Sequence, residues 1–432
     1  MRAYILASGR RIQPFGDSVA DSMIGNHRLG DLQAAVLTRA GLEVVRVAEA
    51  RELPPGRHLV TWDDVLFTRR VLDSLLEQAR RSPGSLRAGL PAGSLLVART
   101  RALQELAEGQ AEGEELVLYR LAVLELAASP AGPAELEGAL AAARPTRVRF
   151  KEKVLEVPTP PNITGAATYR HPITSSILMH VGHWVHVLWA NQLSIQVRWV
   201  ETLLDHKLWA AARLLRGALD GLWEVGRSGR AEPALVKWGA LSRLNVIGKG
   251  CDIHPTAQLE AVQLGDHVRV GAYTLIRGSL VGAGTTIEDR ANVIFSVVGP
   301  GCFMSKNSSM TLCAGYPESD LSIRGVQCSL FGRRAAMTSG AQVIDMKVKG
   351  EIQVMHEGRL RSTGTNFLGA CFGHGVFAGG AIVVQAGRAV PNGAVLVTPP
   401  GDSFQVIPPD LPPGEPAWAE DGRAVVRRRG KS

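Results

Sequence analysis

An aliphatic residue precedes a glycine four times at intervals of 17 residues, in Ile247-Gly248, Leu264-Gly265, Val281-Gly282 and Val298-Gly299. Two apolar residues follow each pair at steps of six: Ile253 and Leu259, Val270 and Ile276, Ile287 and Val293, Met304 and Met310. The residue two before an anchor is small at ten of twelve positions, with Val262 and Val268 the exceptions. Six residues are too few for a helical unit but suit one short strand and a corner, so three of them close a triangular coil. Such coils bury a core only by stacking, which makes this region a parallel β-helix. The small residue is expected where the chain turns inward, and the glycine where the backbone needs relief from strain.

The spacing loosens between Tyr316 and Val326, resumes at Phe331, Met337 and Val343, and returns at Phe372, Ala378, Val384, Val390 and Leu396. The β-helix is therefore placed at residues 241–400. Residues 347–365 interrupt it and read as a hairpin that turns at Glu357-Gly358 and projects from the coil. The tail, 401–432, carries Pro408-Pro409, Pro412-Pro413 and Arg427-Arg428-Arg429 and is expected to be extended and partly disordered.

Residues 1–165 alternate strand and helix signals: an apolar strand at Ala3 to Ala7, a helix carrying Leu29, Leu32, Val36 and Leu37, and a strand at Val44 to Val47. A strand from His58 to Trp62 then ends at Asp63-Asp64, a helix runs from Thr68 to Arg81, and a further strand is expected from Arg147 to Val157. This order predicts an α/β sheet. Residues 166–240 read as a helical arm, with helix expected from Ile173 to Val225 and tryptophan at 184, 189, 199, 209 and 223. Those rings suit either packing between domains or contact with a membrane surface. His180, His183 and His186 are three apart, a spacing that drifts around a helix, and no carboxylate or cysteine accompanies them. They are read as packed or exposed histidines, and no metal site is assigned.

Forty-five per cent apolar and 20% charged residues in 432 are ordinary for globular domains. The net charge of +8 is mostly arginine, and short basic clusters of this kind are usually solvated, so no nucleic-acid partner is inferred. The five cysteines show no CxxC pair and read as reduced packing residues. Neither a signal peptide nor a membrane span is recognisable, and a cytoplasmic protein is expected.

The repeat resembles that of hexapeptide-repeat transferases, whose β-helix is left-handed, and Asp252-Ile253-His254-Pro255-Thr256-Ala257 is similar to their opening rung. The resemblance implies a homotrimer and, for acyltransferase members, acyl-CoA and a general-base histidine in clefts between subunits. His374, in Phe372-Gly373-His374-Gly375, carries the Gly-His pair of such enzymes; His267 has the better spacing but lies in an early coil. The N-terminal part is similar to sugar-nucleotide pyrophosphorylases, whose loop LxxGxGTRxxP cradles phosphates. Leu6-Ala7-Ser8-Gly9 and Arg11-Ile12-Gln13-Pro14 match its two ends. Here the loop is three residues shorter, without the second glycine and the threonine, and no lysine precedes Lys151. Asp64 stands where that family ends a strand on a metal-binding aspartate. The resemblance thus makes Gly9, Arg11 and Asp64 the nucleotide-site candidates, with Mg²⁺ required if the domain is active. Leu188-Trp189-Ala190-Asn191 is similar to the LxAN segment that closes some of these domains. In domain order the chain resembles bifunctional uridyltransferase/acetyltransferases.

The expected function is acyl transfer to a sugar or sugar nucleotide, beside a degenerate nucleotidyltransferase-like domain. The alternatives are a non-catalytic trimeric scaffold or regulator, and an active sugar-phosphate nucleotidyltransferase.

Overall fold

The computed structural model describes residues 1–158, 168–228, 242–402, 405–409, 411 and 417–426. The breakers following Pro158, the expected end of the arm near residue 240, Pro412-Pro413 and Arg427-Arg428-Arg429 lie outside the described residues.

The N-terminal domain is built on a mixed, seven-stranded sheet. Its main path runs Arg144–Arg147, Leu86–Pro91, Glu114–Leu126, Gly56–Trp62, Arg2–Leu6, Glu43–Val47. Arg2–Leu6 pairs in parallel with both neighbours, because the helix Leu29–Arg39 carries the chain across to Glu43–Val47. The helix Arg69–Arg81 buries Val71, Leu72, Leu75, Leu76 and Ala79. Apolar side chains on one stripe of each helix and along the central strands thus dictate the layered core.

Two expected elements differ. The single strand expected from Arg147 to Val157 is divided into Arg144–Arg147 and Lys153–Pro158, the latter pairing with Thr168–Ile173. Between them the Glu152 carboxylate accepts the N–H groups of Leu95 and Leu96 at 2.9 and 2.8 Å, which holds the chain at the start of the helix Leu95–Thr100. The helix expected from Ile173 begins only at Trp184. Leu178–His180 instead pairs with Val65–Phe67, and His183 caps the helix Trp184–Asp205 by accepting the Val185 N–H at 3.3 Å.

From Val246 onward the chain forms three parallel ladders of eight, eight and five strands, most of them two residues long. Val281 pairs with Val298, Val298 with Gly315, and Phe331 with Phe372. The coil between Met310 and Val326 is one residue short, yet the ladder stays in step. The small residues serve a purpose beyond fitting a corner. Ser279 Oγ donates to the Val293 carbonyl at 3.2 Å and Thr285 Oγ1 to the Gly299 carbonyl at 2.8 Å, so each satisfies a peptide group in the next coil. Cys302 Sγ does likewise toward the Tyr316 carbonyl at 3.2 Å, and all five cysteines are free.

The repeated glycines correct an expectation. Gly248, Gly265, Gly282 and Gly299 do not adopt the left-handed conformation; a Cβ on any of them would stand 2.3–2.6 Å from backbone of the adjacent coil. Close approach of stacked backbones requires them, rather than relief of strain.

One face of the β-helix is apolar on its outside as well. Leu280, Val297, Ala314, Leu330 and Cys371 project away from the helix interior and join the core of the N-terminal domain. The helix Trp184–Asp205 lies in this seam, with Trp184 and Trp189 buried and Trp199 Nε1 donating to the Ala261 carbonyl at 3.2 Å. The following helix, Lys207–Ser228, leaves Leu208, Leu215, Leu219, Leu222 and Trp223 exposed. Among the described residues no helix is long and apolar enough to cross a membrane.

The glycine argument is directly testable. Gly282→Ala, whose Cβ would stand 2.3 Å from the Pro300 nitrogen, is expected to destabilise the fold by about 2–3 kcal/mol in urea unfolding. Gly93→Ala, with no atom within 4 Å of the new carbon, serves as the control and is expected to be near neutral.

Candidate functional site

In open α/β sheets ligands bind at the carboxyl ends of strands where the strand order reverses. Here that point lies at the ends of Arg2–Leu6 and Gly56–Trp62, where the shortened loop meets Asp63 and Asp64. Gly9 takes the left-handed conformation at φ +67°, which turns the loop. The loop then spends its donors internally: the Ser8 N–H binds Asp63 Oδ1 at 2.8 Å, and the Arg10 N–H binds Ser8 Oγ at 3.3 Å. Arg11 turns away, donating from Nη1 to the Gly16 carbonyl at 2.8 Å. The structure therefore gathers Gly9 and Asp64, and Arg10 takes the place expected of Arg11.

Asp64 is 1% exposed, and neither carboxylate oxygen receives a hydrogen bond. Arg10 Nε stands 3.3 Å from Oδ2 and Arg120 Nη1 4.0 Å from it. Burial pushes the Asp64 carboxyl up to about 6 against the pull of both guanidiniums. Mg²⁺ does not fit this arrangement. It requires near-octahedral oxygen coordination, whereas Asp63 is engaged by the loop and two fixed cations already face Asp64. Among the described residues no group of three or more His, Cys, Asp or Glu side chains is placed to hold a metal.

Sequence reasoning did not single out Arg120, which also bridges to Glu137 at 3.2 Å and lies over the Trp62 ring. Its signal was present: one arginine interrupts an otherwise apolar run from Leu116 to Val123. His180 ends a strand, whereas His183 and His186 stand at the cap and in the first turn of the helix Trp184–Asp205. His180 accepts the Arg120 N–H at 3.1 Å, His183 pairs with the Met355 carbonyl at 3.1 Å, and His186 with the Ala102 carbonyl at 2.7 Å. His183 thereby pins the inserted hairpin, Gln353–His356 and Arg359–Ser362, against the N-terminal domain.

His374 sits in the joint between domains. Its Nδ1 accepts the Arg333 N–H at 2.9 Å, so the proton belongs on Nε2, which faces Asp17 Oδ2 at 3.1 Å. The ring stacks on Phe15 at 4.9 Å, and Arg333 pairs with Asp17 at 2.9 Å. Neither nitrogen keeps a lone pair free to take a proton from a substrate. Burial draws its pKa down, with Asp17 opposing. His267 lies elsewhere, exposed at a left-handed corner with φ +57°. Asn191 of the LxAN segment is buried, accepting the Gly25 N–H at 2.9 Å and donating to the Met23 carbonyl at 2.8 Å.

No protein-family model and no curated protein sequence matches this chain.

His374→Ala removes a charge-assisted contact and a stacked ring, and is expected to cost about 2–3 kcal/mol in urea unfolding. The buried imidazoles set an acid limit. Burial pulls His171 and His183 down to about 3, His186 to about 4, and His180 well below the usual range. Unfolded, they titrate near 6.5, so from about pH 6.5 to 4 the unfolded chain binds up to about four more protons and stability falls on acidification. Asp64, which binds its proton more readily when folded, offsets about one of these between its folded value of about 6 and its unfolded value near 4. The expected slope is about 4 kcal/mol per pH unit, read from urea midpoints between pH 6.5 and 5; a flat or rising profile would show that these rings are not held neutral.

Proposed function

We propose that the N-terminal domain is a nucleotidyltransferase-like domain that binds a phosphorylated sugar or sugar nucleotide without transferring it, mounted on a left-handed β-helix as a scaffold or regulator. The carrying observation is the Asp64–Arg10 pair: a side-chain cation stands against the carboxylate on which the related chemistry would hold Mg²⁺. Arginine is suited to bidentate phosphate recognition and keeps its charge at all working pH values. The internal use of the Ser8 and Arg10 N–H groups supports the absence of transfer, since a backbone cradle for a nucleoside triphosphate needs these donors free, and leaves phosphate recognition to arginine side chains. The trimer implied by the repeat belongs to this proposal, with the two β-helix faces not covered by the N-terminal domain as its contact surfaces.

The test is calorimetric titration with glucose 1-phosphate and UDP-glucose in the presence of EDTA. Binding is expected without metal, with Arg10→Ala weakening it at least about tenfold. No pyrophosphate is expected from nucleoside triphosphate, sugar phosphate and Mg²⁺. Pyrophosphate release, or the absence of binding, would overturn the reading.

One observation favours acyl transfer as a second reading: His267 is exposed at its corner, as a base awaiting a partner subunit's cleft must be. Acyl-CoA consumption with an amino-sugar acceptor, abolished in His267→Ala, is its expected result; no consumption across acceptors rejects it.

A further inference from the structure

Arg10 also lines a cavity of about 460 Å³ that neither domain forms alone. Leu103, Gln104 and Glu105 contribute one wall; His356, Glu357, Arg361 and Ser362, from the hairpin inserted in the β-helix, contribute the other. The volume lies in the range of small-molecule sites. Two features set it apart from an incidental gap between domains. Gln104 Oε1 is buried without a hydrogen-bond partner, an acceptor left unsatisfied inside the protein. Arg361, exposed on the hairpin, lines the same cavity as Arg10 and makes no ion pair among the described residues.

We infer that this cavity is a composite sugar-phosphate site in which the β-helix domain completes the recognition begun by the N-terminal domain. Arg10 and Arg361 supply the two cations that hold the phosphate. The Glu105 and Glu357 carboxylates, on opposite walls, supply acceptors for sugar hydroxyls, an alternation of donors and acceptors that neither inorganic phosphate nor a neutral sugar would match alone. The hairpin is held in place by the His183 contact to the Met355 carbonyl, by Ile352 and Val354 in the shared core, and by the edge-on packing of His356 on His183 at 5.4 Å. Arg10 lies against Gly182, where a Cβ would stand 2.6 Å from Nη1 and the guanidinium would have to shift. The hairpin thus interrupts the repeat at the point where the ligand lies.

This inference rests on the proposed sugar-phosphate reading and fails separately from it. With the full-length protein, glucose 1-phosphate is titrated against wild type, Arg361→Ala, Arg361→Gln and Glu105→Gln, with inorganic phosphate as a second probe. If wild type binds, both Arg361 variants are expected to weaken glucose 1-phosphate and phosphate at least about tenfold with an unchanged thermal midpoint, since Arg361 is exposed. Glu105→Gln is expected to weaken glucose 1-phosphate while sparing inorganic phosphate. Binding by wild type that both Arg361 variants retain overturns the composite site and leaves the N-terminal reading intact. Failure of wild type to bind removes both.

Discussion

A two-residue strand in a three-sided coil offers one side chain to the inside and one to the outside. A β-helix that stands alone keeps the outer row polar. Here the outer row of one face is Leu280, Val297, Ala314, Leu330 and Cys371, and its burial against the N-terminal domain holds the molecule together. Each fully buried aliphatic contributes about 1.5–3 kcal/mol, so the row outweighs the polar contacts along its edge. Those contacts set register rather than strength. Asn26 Nδ2 donates to the Val298 carbonyl at 3.0 Å, the Met23 N–H to Tyr316 Oη at 3.0 Å, and Gln192 Nε2 to the Leu312 carbonyl at 2.8 Å.

The ladders were legible in the sequence because a period along the chain becomes a period in space. The hairpin was legible because Glu357-Gly358 is a turn pair, and the two residues take φ of +50° and +76°. The seam was not read from the sequence, although its signal is present there. Leu280-Val281, Val297-Val298, Leu330-Phe331 and Cys371-Phe372 place two apolar residues side by side, which breaks strand alternation and marks a face buried on both sides. The candidate site was less legible. His374 stood out for its Gly-His pair, but its partner Asp17 is 357 positions away, and no local pattern encodes such a pairing. The same holds for Arg10, which neighbours the expected Arg11 and differs from it only in the direction the turned loop gives it.

On the proposed reading, the loop, Asp64 and the arginines together exchange a dissociable cation for one attached to the chain. A metal ion can leave, be chelated or be replaced, and it can move charge during a reaction. A guanidinium does none of these, since it holds its proton at all working pH values and is fixed by its own side chain. The buried Asp64 is then a structural counter-charge for Arg10, which stands 3.3 Å from it and also lines the cavity at the domain joint.

Repeat helices ordinarily gain or lose whole coils with little effect elsewhere, since each coil touches only its neighbours. The seam removes that freedom. The N-terminal domain and the helix Trp184–Asp205 packed on it grip this β-helix at many levels, from Ala261 through Val298, Leu312 and Tyr316 to His374 and Asn392, whose Nδ2 reaches the Phe15 carbonyl at 2.7 Å. Adding one coil between these points would displace everything beyond it by about 4.8 Å along the axis, more than a hydrogen bond spans. The number of coils in this stretch has become a fixed length, and the globular domain is the gauge that measures it.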